Sequence, residues 1–389
     1  MPAPTPSSIV DRNFGEDVAF LRTHKETIVL TRGDSKIAVV PAFQGRVMTS
    51  TPAGDSGASL GFIKHDLIAS PKVQPHINPY GGEDRFWIGP EGGQFAIFFP
   101  PGSPDFSFEH WQTPQAIDTD AFTVSSRSPT SVTLSHETSL INWTGTRFQV
   151  GIGRKVSLLD ADAVSKDLGV EFGSARCVAY ESENTLTNIG REAWTKQTGL
   201  LSIWILGMFK HSPRTTVVVP FKGGDGPAVI DDYFGKVPPD RLRTIGTCAF
   251  FKGDGQFRSK IGITPARALP MCGSFAPSDA HPAANLLTIV TYTLPVGASD
   301  YVNSKWAMQM DPYAGDVVNS YNDGAAEPGG QPFGPFYELE SSSPAAALAP
   351  QASITHLHRT IHLMGTRADL NRVAQKVLGV GLDVIERAL

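Results

Sequence analysis

The sequence predicts an all-β fold, a large antiparallel sandwich or barrel, from three observations. Short runs rich in Val, Ile, Thr and Phe recur about every ten residues, and several of them alternate apolar and polar side chains, as half-buried antiparallel strands do. The 38 glycines and 30 prolines are spread between these runs, where the chain has to turn. No Gly-rich phosphate loop opens a helix, which argues against a nucleotide-binding α/β fold.

The predicted strands follow one another along most of the chain. In order they include TIVLTRG, KIAVVPAF, QFAIFF, AFTVSS, SVTLSHET, FQVGIGRKVSLL, TTVVVPF, KIGITPA and LLTIVTYTLP. The Gly- and Pro-rich segments GDGPAVIDDYFGKVPPDR and NDGAAEPGGQPFGP are each flanked by strands. We therefore interpret them as long loops within a single domain that spans residues 1–389.

One helix is predicted at the C-terminal end, within residues 366–389. Thr366 can cap it, with Asp369 three residues on as a reciprocal partner. Apolar residues then recur at helical spacing, at Leu370, Val373, Ala374, Val377 and Leu378. We expect this helix to pack on the sandwich and to carry no chemistry.

Composition and charge exclude several classes of protein. The 33 Lys and Arg against 38 Asp and Glu give a net charge of −5, which offers no electrostatic footprint for nucleic acid or for an anionic membrane. No apolar run approaches the ~18–20 residues of a membrane span, and the first residues do not resemble a signal peptide. We expect a soluble protein, either cytoplasmic or exported with its signal removed. The three cysteines are expected to be buried thiols, and no metal or cofactor is predicted.

The segment INPYGGEDRFWIGPEGGQFAIFF, residues 77–99, combines glycines with charges and an aromatic side chain. Carbohydrate sites use an aromatic face against the C–H side of the ring and planar groups against neighbouring hydroxyls. We therefore interpret the segment as a sugar-binding loop. The alternative is a Gly-rich turn in which the Arg pairs with the nearby acids and the Trp belongs to the core. The residues concerned are Glu83, Asp84, Arg85, Trp87 and Glu91.

Two segments resemble the galactose mutarotase (aldose 1-epimerase) superfamily. FYELESSSPAAALAPQASITHLHRTIHLMG, residues 336–365, is similar to its C-terminal motif, in which Leu-Glu ends a strand and a Pro-Ala and a turn follow. VAYESENTLTNIGREAWTKQTGLLSIWILGMF resembles its T-x-x-N-x-G segment, and VVPAFQGRVMTS and GGEDRFW fit its chain order. The sequence of these segments resembles still more closely an uncharacterised bacterial family of unknown function within this superfamily.

The resemblance implies a large antiparallel β-supersandwich with a sugar-binding cleft on its concave face. It also implies an aldose 1-epimerase-like reaction, in which the C-terminal Glu, here Glu340, is the general base on the anomeric hydroxyl. The superfamily's acid is a His, but this chain reads LLSIWILGMF at that place. His76 or His65 could supply the acid from another element, although a lone His is more often structural. Glu340→Gln is expected to lower activity with little change in stability.

Further residues could contact a sugar. Glu338 shares a strand face with Glu340, although both could instead be solvated acids on an outer face. Polar and aromatic residues that suit sugar contacts are Lys305, Trp306, Trp194, Lys196 and Trp204. His356, His358 and His362 alternate on one strand, and we interpret them as surface residues rather than as metal ligands.

Three functions remain open from the sequence. The first is the epimerase, which polarimetry on sugar anomers would test. The second is a glycoside hydrolase or polysaccharide lyase on the same fold, for which a carboxyl group of the Glu83 loop should face Glu340. The third is a carbohydrate-binding protein without turnover. In each case the expected partner is a mono- or oligosaccharide, and the oligomeric state is left open.

Overall fold

The structure, a computed structural model, describes residues 12–278, 281, 283–325 and 329–389. The predicted domain of residues 1–389 therefore includes residues outside those described, among them the whole of 1–11. The helices are α1 Phe14–His24, α2 His65–Ala69, α3 Gln115–Asp118, α4 Ala161–Leu168, α5 Arg367–Val377 and α6 Leu382–Arg387, and a 3₁₀ turn spans Pro41–Phe43. None of the helices in the described ranges is long and apolar enough to cross a membrane.

Most of the regular structure is β-strand. The strands are β1 Ile28–Arg32, β2 Ser35–Val40, β3 Arg46–Thr51, β4 Arg85–Gly89, β5 Thr123–Arg127, β6 Ser131–Ile141, β7 Arg147–Leu158, β8 Arg176–Asn188, β9 Ser202–Lys210, β10 Thr216–Pro220, β11 Val229–Ile230, β12 Leu242–Ile245, β13 Cys248–Lys252, β14 Ser259–Ile263, β15 Met271–Ala276, β16 Asn285–Tyr292, β17 Val318–Asn322, β18 Phe336–Ser342 and β19 Ser353–Gly365.

The strands form three antiparallel sheets. The largest has ten strands in the order β12-β13-β10-β15-β16-β19-β8-β7-β6-β5. The second has six strands in the order β11-β14-β17-β18-β9-β4, and the third has three, β1-β2-β3. The all-β antiparallel class predicted from the sequence is confirmed.

The two large sheets pack face to face around an apolar core. One side of each strand of the six-stranded sheet faces the ten-stranded sheet, because successive side chains of a strand point to opposite faces. Buried residues that contribute to the clusters between the sheets include Phe86, Ile203, Ile205, Leu339, Val150, Leu186, Val217 and Val290. The opposite side of the six-stranded sheet is therefore free to carry polar residues.

The C-terminal helices cover the outer face of the ten-stranded sheet, where Leu370 and Ile385 share a buried cluster with Ile361 of β19. The expected cap is present, since the Thr366 hydroxyl accepts a hydrogen bond from the Asp369 amide at 3.3 Å. The helical segment predicted within residues 366–389 divides into α5 and α6. Gly379 adopts a φ of +71° between them, in the left-handed region that ends helices.

One predicted strand is absent. QFAIFF, residues 94–99, is irregular, and the amides of Ala96 and Ile97 bond to the carbonyls of Gly93 and Pro90 instead of to a neighbouring strand. Its apolar side chains are nevertheless buried. A short apolar run is therefore evidence of burial here and not of a strand.

The interpretation of the three β19 histidines as surface residues was wrong, because all three are fully buried between the sheets. The Ser341 hydroxyl lies 2.8 Å from His356 Nε2 and 2.8 Å from His358 Nδ1. Burial lowers the pKa of His356 to about 3 and that of His358 to about 4. Both histidines are therefore neutral at physiological pH.

Candidate functional site

The outward face of the six-stranded sheet forms the floor of a pocket. In β18, Glu338 and Glu340 share this face because they are two residues apart. Directly opposite residues in antiparallel strands share a face, so the register extends it: Leu206 lies opposite both Glu340 and Arg85. Tyr321 lies opposite Glu338 and, on its other side, opposite Lys260.

Aromatic side chains form much of the pocket wall. The empty space of the pocket, including the part open to solvent, is about 590 Å³. Trp111 stacks on Trp306 at 5.6 Å between ring centroids, and Trp87 meets Trp204 edge to face at 5.5 Å. Lining residues include Ile77, Arg85, Trp87, Glu91, Phe108, Trp111, Trp204, Phe234, Arg258, Lys260, Trp306, Tyr321 and Glu338.

Glu340 lies at the base of this floor and is fully buried. One of its oxygens, Oε2, accepts hydrogen bonds from Lys260 Nζ at 2.8 Å and from Trp204 Nε1 at 2.9 Å. Its other oxygen, Oε1, has no hydrogen-bond partner among the described residues. Glu340 is thus a buried, ion-paired carboxylate with one unused oxygen beneath Lys260 and Trp204, which themselves line the pocket.

Glu338 forms an ion pair with Arg85, whose Nη2 lies 2.5 Å from Glu338 Oε1. Arg85 in turn lies over the Trp87 ring, with its guanidinium carbon 4.9 Å from the ring centroid. Burial raises the pKa of Glu338 to about 8, with Arg85 opposing the shift and Glu340 adding to it. The pair therefore places a carboxyl group that titrates near neutral pH next to a fixed guanidinium.

Glu91 lies on the loop after β4 and lines the pocket from there. Its backbone amide bonds to the Ser304 hydroxyl at 3.2 Å. Burial raises the pKa of Glu91 to about 7, and the charges of Lys260, Glu340 and Arg258 also act on it. Glu91 therefore interacts electrostatically with the charged residues of the pocket floor, although it lies on a loop and they lie on the sheet.

Several buried polar atoms in the pocket lining have no hydrogen-bond partner among the described residues. They are Arg85 Nε, Trp87 Nε1, Trp111 Nε1 and Arg258 Nε. Buried donors are almost always satisfied, so these four are available to a polar ligand in the pocket.

The structure brings together five of the residues predicted to bind a substrate. Arg85, Trp87, Trp204, Trp306 and Glu338 all line the pocket. Glu340, the predicted base, lies directly below them.

Glu83 and Asp84 are placed elsewhere, fully buried on the side that faces the ten-stranded sheet. Glu83 accepts hydrogen bonds from Ser50 Oγ at 2.7 Å and from Tyr180 at 2.8 Å. Asp84 pairs with Arg154 of β7. Their acceptor oxygens bond to the protein's own groups, and neither residue lines the pocket.

The histidines proposed as acids also lie outside the pocket lining. His76 Nδ1 is 2.6 Å from the Trp111 carbonyl, and its ring contacts Phe108 in a tilted arrangement, with 4.7 Å between the ring centroids. His65 pairs with Asp17.

The other predicted sugar-binding residues have local partners as well. Trp194 packs against Phe148 in the core. Lys196 pairs with Asp300. Lys305 pairs with Asp232, beside Trp306 but not in the pocket lining.

Lys260, Arg258 and Trp111 line the pocket, and the sequence analysis did not identify them. Lys260 begins the run KIGITPA, and Arg258 lies two residues before it. Two charged side chains at this spacing point to the same face of a strand, and this was the signal that the sequence offered. No group of three or more His, Cys, Asp or Glu residues in the described part of the chain could hold a metal ion.

The sheets and the pocket define a galactose mutarotase-like β-sandwich. A galactose mutarotase-like protein from Lactobacillus casei is similar over 87% of this chain and 100% of its own, with 11% identity and a TM-score of 0.50. A candidate aldose 1-epimerase from Escherichia coli K12 matches over 87% and 99%, with 12% identity and a TM-score of 0.49. At this identity the likeness to the Lactobacillus casei protein shows the fold alone, and the expected galactose mutarotase-like fold is confirmed.

The sequence also matches a protein family of unknown function, DUF6786, over residues 12–389, and the chain belongs to this family. No match to the sequence was found among curated proteins. The expectation that the chain belongs to a family of unknown function is therefore confirmed.

Proposed function

We propose that this protein acts on a carbohydrate at or near its anomeric centre, as an aldose 1-epimerase-like enzyme. One observation carries the proposal: Glu91 lines a pocket with aromatic walls, and Glu340, a carboxyl group in a contrasting environment, lies beneath the floor of the same pocket. Glu340 is an ion-paired carboxylate, whereas burial raises the pKa of Glu91 to about 7. Paired titratable groups with contrasting environments are typical of acid–base catalysis.

The lining suits a sugar ring. Trp87, Trp204 and Trp306 offer flat apolar surfaces for the C–H face of the ring. Unpaired donors such as Arg85 Nε and Trp111 Nε1 suit its hydroxyl oxygens. The described residues outside this pocket, including Glu83, Asp84, His76, Trp194, Lys196 and Lys305, are not part of the proposed site.

The reaction follows from the two carboxyl groups. Glu340 Oε1 takes the proton of the anomeric hydroxyl while Glu91 donates a proton to the ring oxygen, and the bond between C1 and the ring oxygen breaks. The open-chain aldehyde rotates about its C1–C2 bond. Reclosure with both proton transfers reversed gives the other anomer, so no co-reactant is needed.

The pH dependence follows from Glu91. The protonated form donates the proton, and it is lost as the pH rises through about 7. Activity should therefore fall above about pH 7, and Glu91→Gln should remove this limb of the profile together with most of the rate.

Polarimetry on the pure anomers of neutral aldoses and of uronic acids tests the proposal. We expect acceleration over buffer for at least one of them, and a loss of about 10²–10⁴-fold in Glu340→Gln and in Glu91→Gln. Glu137→Gln, which changes an exposed Glu of β6, should keep the wild-type rate. Absence of acceleration for every sugar, or wild-type turnover in folded Glu340→Gln, would reject the proposed reaction.

Hydrolysis is the second candidate, because Glu91 and Glu340 also provide the carboxyl pair that glycoside hydrolysis needs. The discriminating measurement is product analysis with aryl glycosides and with polysaccharides. New reducing ends would assign a hydrolase, and interconversion of anomers without cleavage would assign the epimerase. Sugar binding without either product would indicate a binding protein.

A further inference from the structure

Arg258 is a pocket residue that acid–base chemistry does not use. It immediately precedes β14, two residues before Lys260, so the alternation of the strand directs both side chains to the pocket face. Its guanidinium carbon lies 3.9 Å from the centroid of the Phe234 ring, a stacking contact that fixes the plane of the group. Arg258 and Phe234 both line the pocket.

Ion pairing distinguishes Arg258 from the other two cations of the pocket. Arg85 is paired with Glu338, and Lys260 with Glu340. Arg258 forms no ion pair with the part of the chain that the structure describes, and its Nε has no hydrogen-bond partner there. A stacked, half-buried guanidinium with no carboxylate partner is arranged to bind an anion.

We propose that the substrate is an anionic sugar, whose carboxylate or phosphate group binds the guanidinium of Arg258. This inference rests on the proposed function and names the substrate class of the same site. A uronic acid and a sugar phosphate share the required chemistry, a planar or branched set of oxygens that accepts two parallel N–H bonds.

The remaining charges of the pocket are compatible with an anionic ligand. Glu338 and Glu340 are each held by a cation, so their repulsion of an incoming anion is largely offset. The other lining acid is Glu91, and burial raises its pKa to about 7, so that it is partly protonated at neutral pH. An anion bound to Arg258 would thus leave the pocket close to electroneutral.

Calorimetric titration with galacturonate and galactose, glucuronate and glucose, and glucose 6-phosphate tests the inference. A charge-assisted hydrogen-bond pair should make the preferred anionic sugar bind about 10–100-fold more tightly than its neutral counterpart. Arg258→Gln should reduce its affinity to that of the neutral sugar, and Arg258→Lys should lie between. Arg243→Gln, which changes an exposed Arg of β12, is the matched control and should leave binding unchanged.

The outcomes separate this inference from the proposed function. Preference for the uronates or for the phosphate identifies the anionic group, and both results support the role of Arg258. Equal affinity for neutral and anionic sugars, or an unchanged preference in folded Arg258→Gln, would overturn the inference and leave the proposed function standing. Absence of binding by every sugar would overturn both.

Discussion

Glu340→Gln should destabilise the protein as well as inactivate it, and Lys260→Met in the same chain should restore the stability alone. From the sequence, little change in stability is expected of a cleft carboxylate. The structure argues otherwise, because Glu340 is 0% exposed and Lys260 only 8%. Replacing Glu340 by the neutral Gln leaves the ammonium group of Lys260 buried without its counter-charge.

The magnitude follows from this burial. Removing one partner of a buried ion pair costs about 3–5 kcal/mol, whereas replacing both by uncharged groups of similar volume is often close to neutral. Gln can still accept the hydrogen bond that Trp204 Nε1 donates to Glu340, which retains about 1 kcal/mol. We therefore expect the free energy of unfolding to fall by about 3 kcal/mol in Glu340→Gln and by less than about 1 kcal/mol in the double variant.

Urea unfolding of the wild type, both single variants and the double variant completes a thermodynamic cycle. Lys260→Met alone should also cost about 3 kcal/mol, because it leaves the buried Glu340 without its counter-charge. The coupling energy should therefore be about 5 kcal/mol, and activity should stay lost in the double variant. Equal denaturation midpoints for wild type and Glu340→Gln would refute the structural argument. Recovery of activity in the double variant would refute the role of Glu340 as the base.

Three further predictions concern the frame of the site. Gly81→Ala should cost about 3 kcal/mol or more, since Gly81 has a φ of +98° and a Cβ there would overlap the Phe62 carbonyl oxygen; denaturant midpoints would show it. Because His356 is buried in its neutral form, the wild-type protein loses stability as the pH falls below about 6.5. The free energy of unfolding of His356→Gln should therefore rise by about 2 kcal/mol relative to that of the wild type between pH 7 and pH 5, as measured by urea titration. Thr366→Ala should lower the melting temperature by removing the cap on the Asp369 amide, at a cost of about 1 kcal/mol.

The fold class was predictable because strand period and turn residues are local signals, whereas some helix positions were not recognised. α1 begins with a capping box between Asn13 and Glu16, and Asp160 caps α4. These caps are visible in the sequence, but each helix is short and lies among strand-like runs.

The sequence was enough to predict which types of residue form the site, but not on which side of the sheet each side chain lies. Glu83, Asp84 and Arg85 are consecutive, and all three suit a sugar site by chemistry. Their directions depend on distant partners: Tyr180 and Arg154 bind the two acids between the sheets, and Glu338 holds the Arg in the pocket. Those partners are between 70 and 253 residues away, so no local pattern reveals them.

The strand that carries the acids also shows how the site fixes the fold. In β18, Glu338 and Glu340 face the pocket, and Ser341, between Glu340 and Ser342, bonds to His356 on the other side. A slip of one residue in the pairing of β18 would exchange the two faces. Two carboxylates would then enter the layer beside the ten-stranded sheet without Arg85 or Lys260, at several kcal/mol each. The charges of the pocket therefore favour one register of β18 over its neighbours as well as one kind of ligand. Replacing both acids at once should reduce this preference for the native register more than replacing either one.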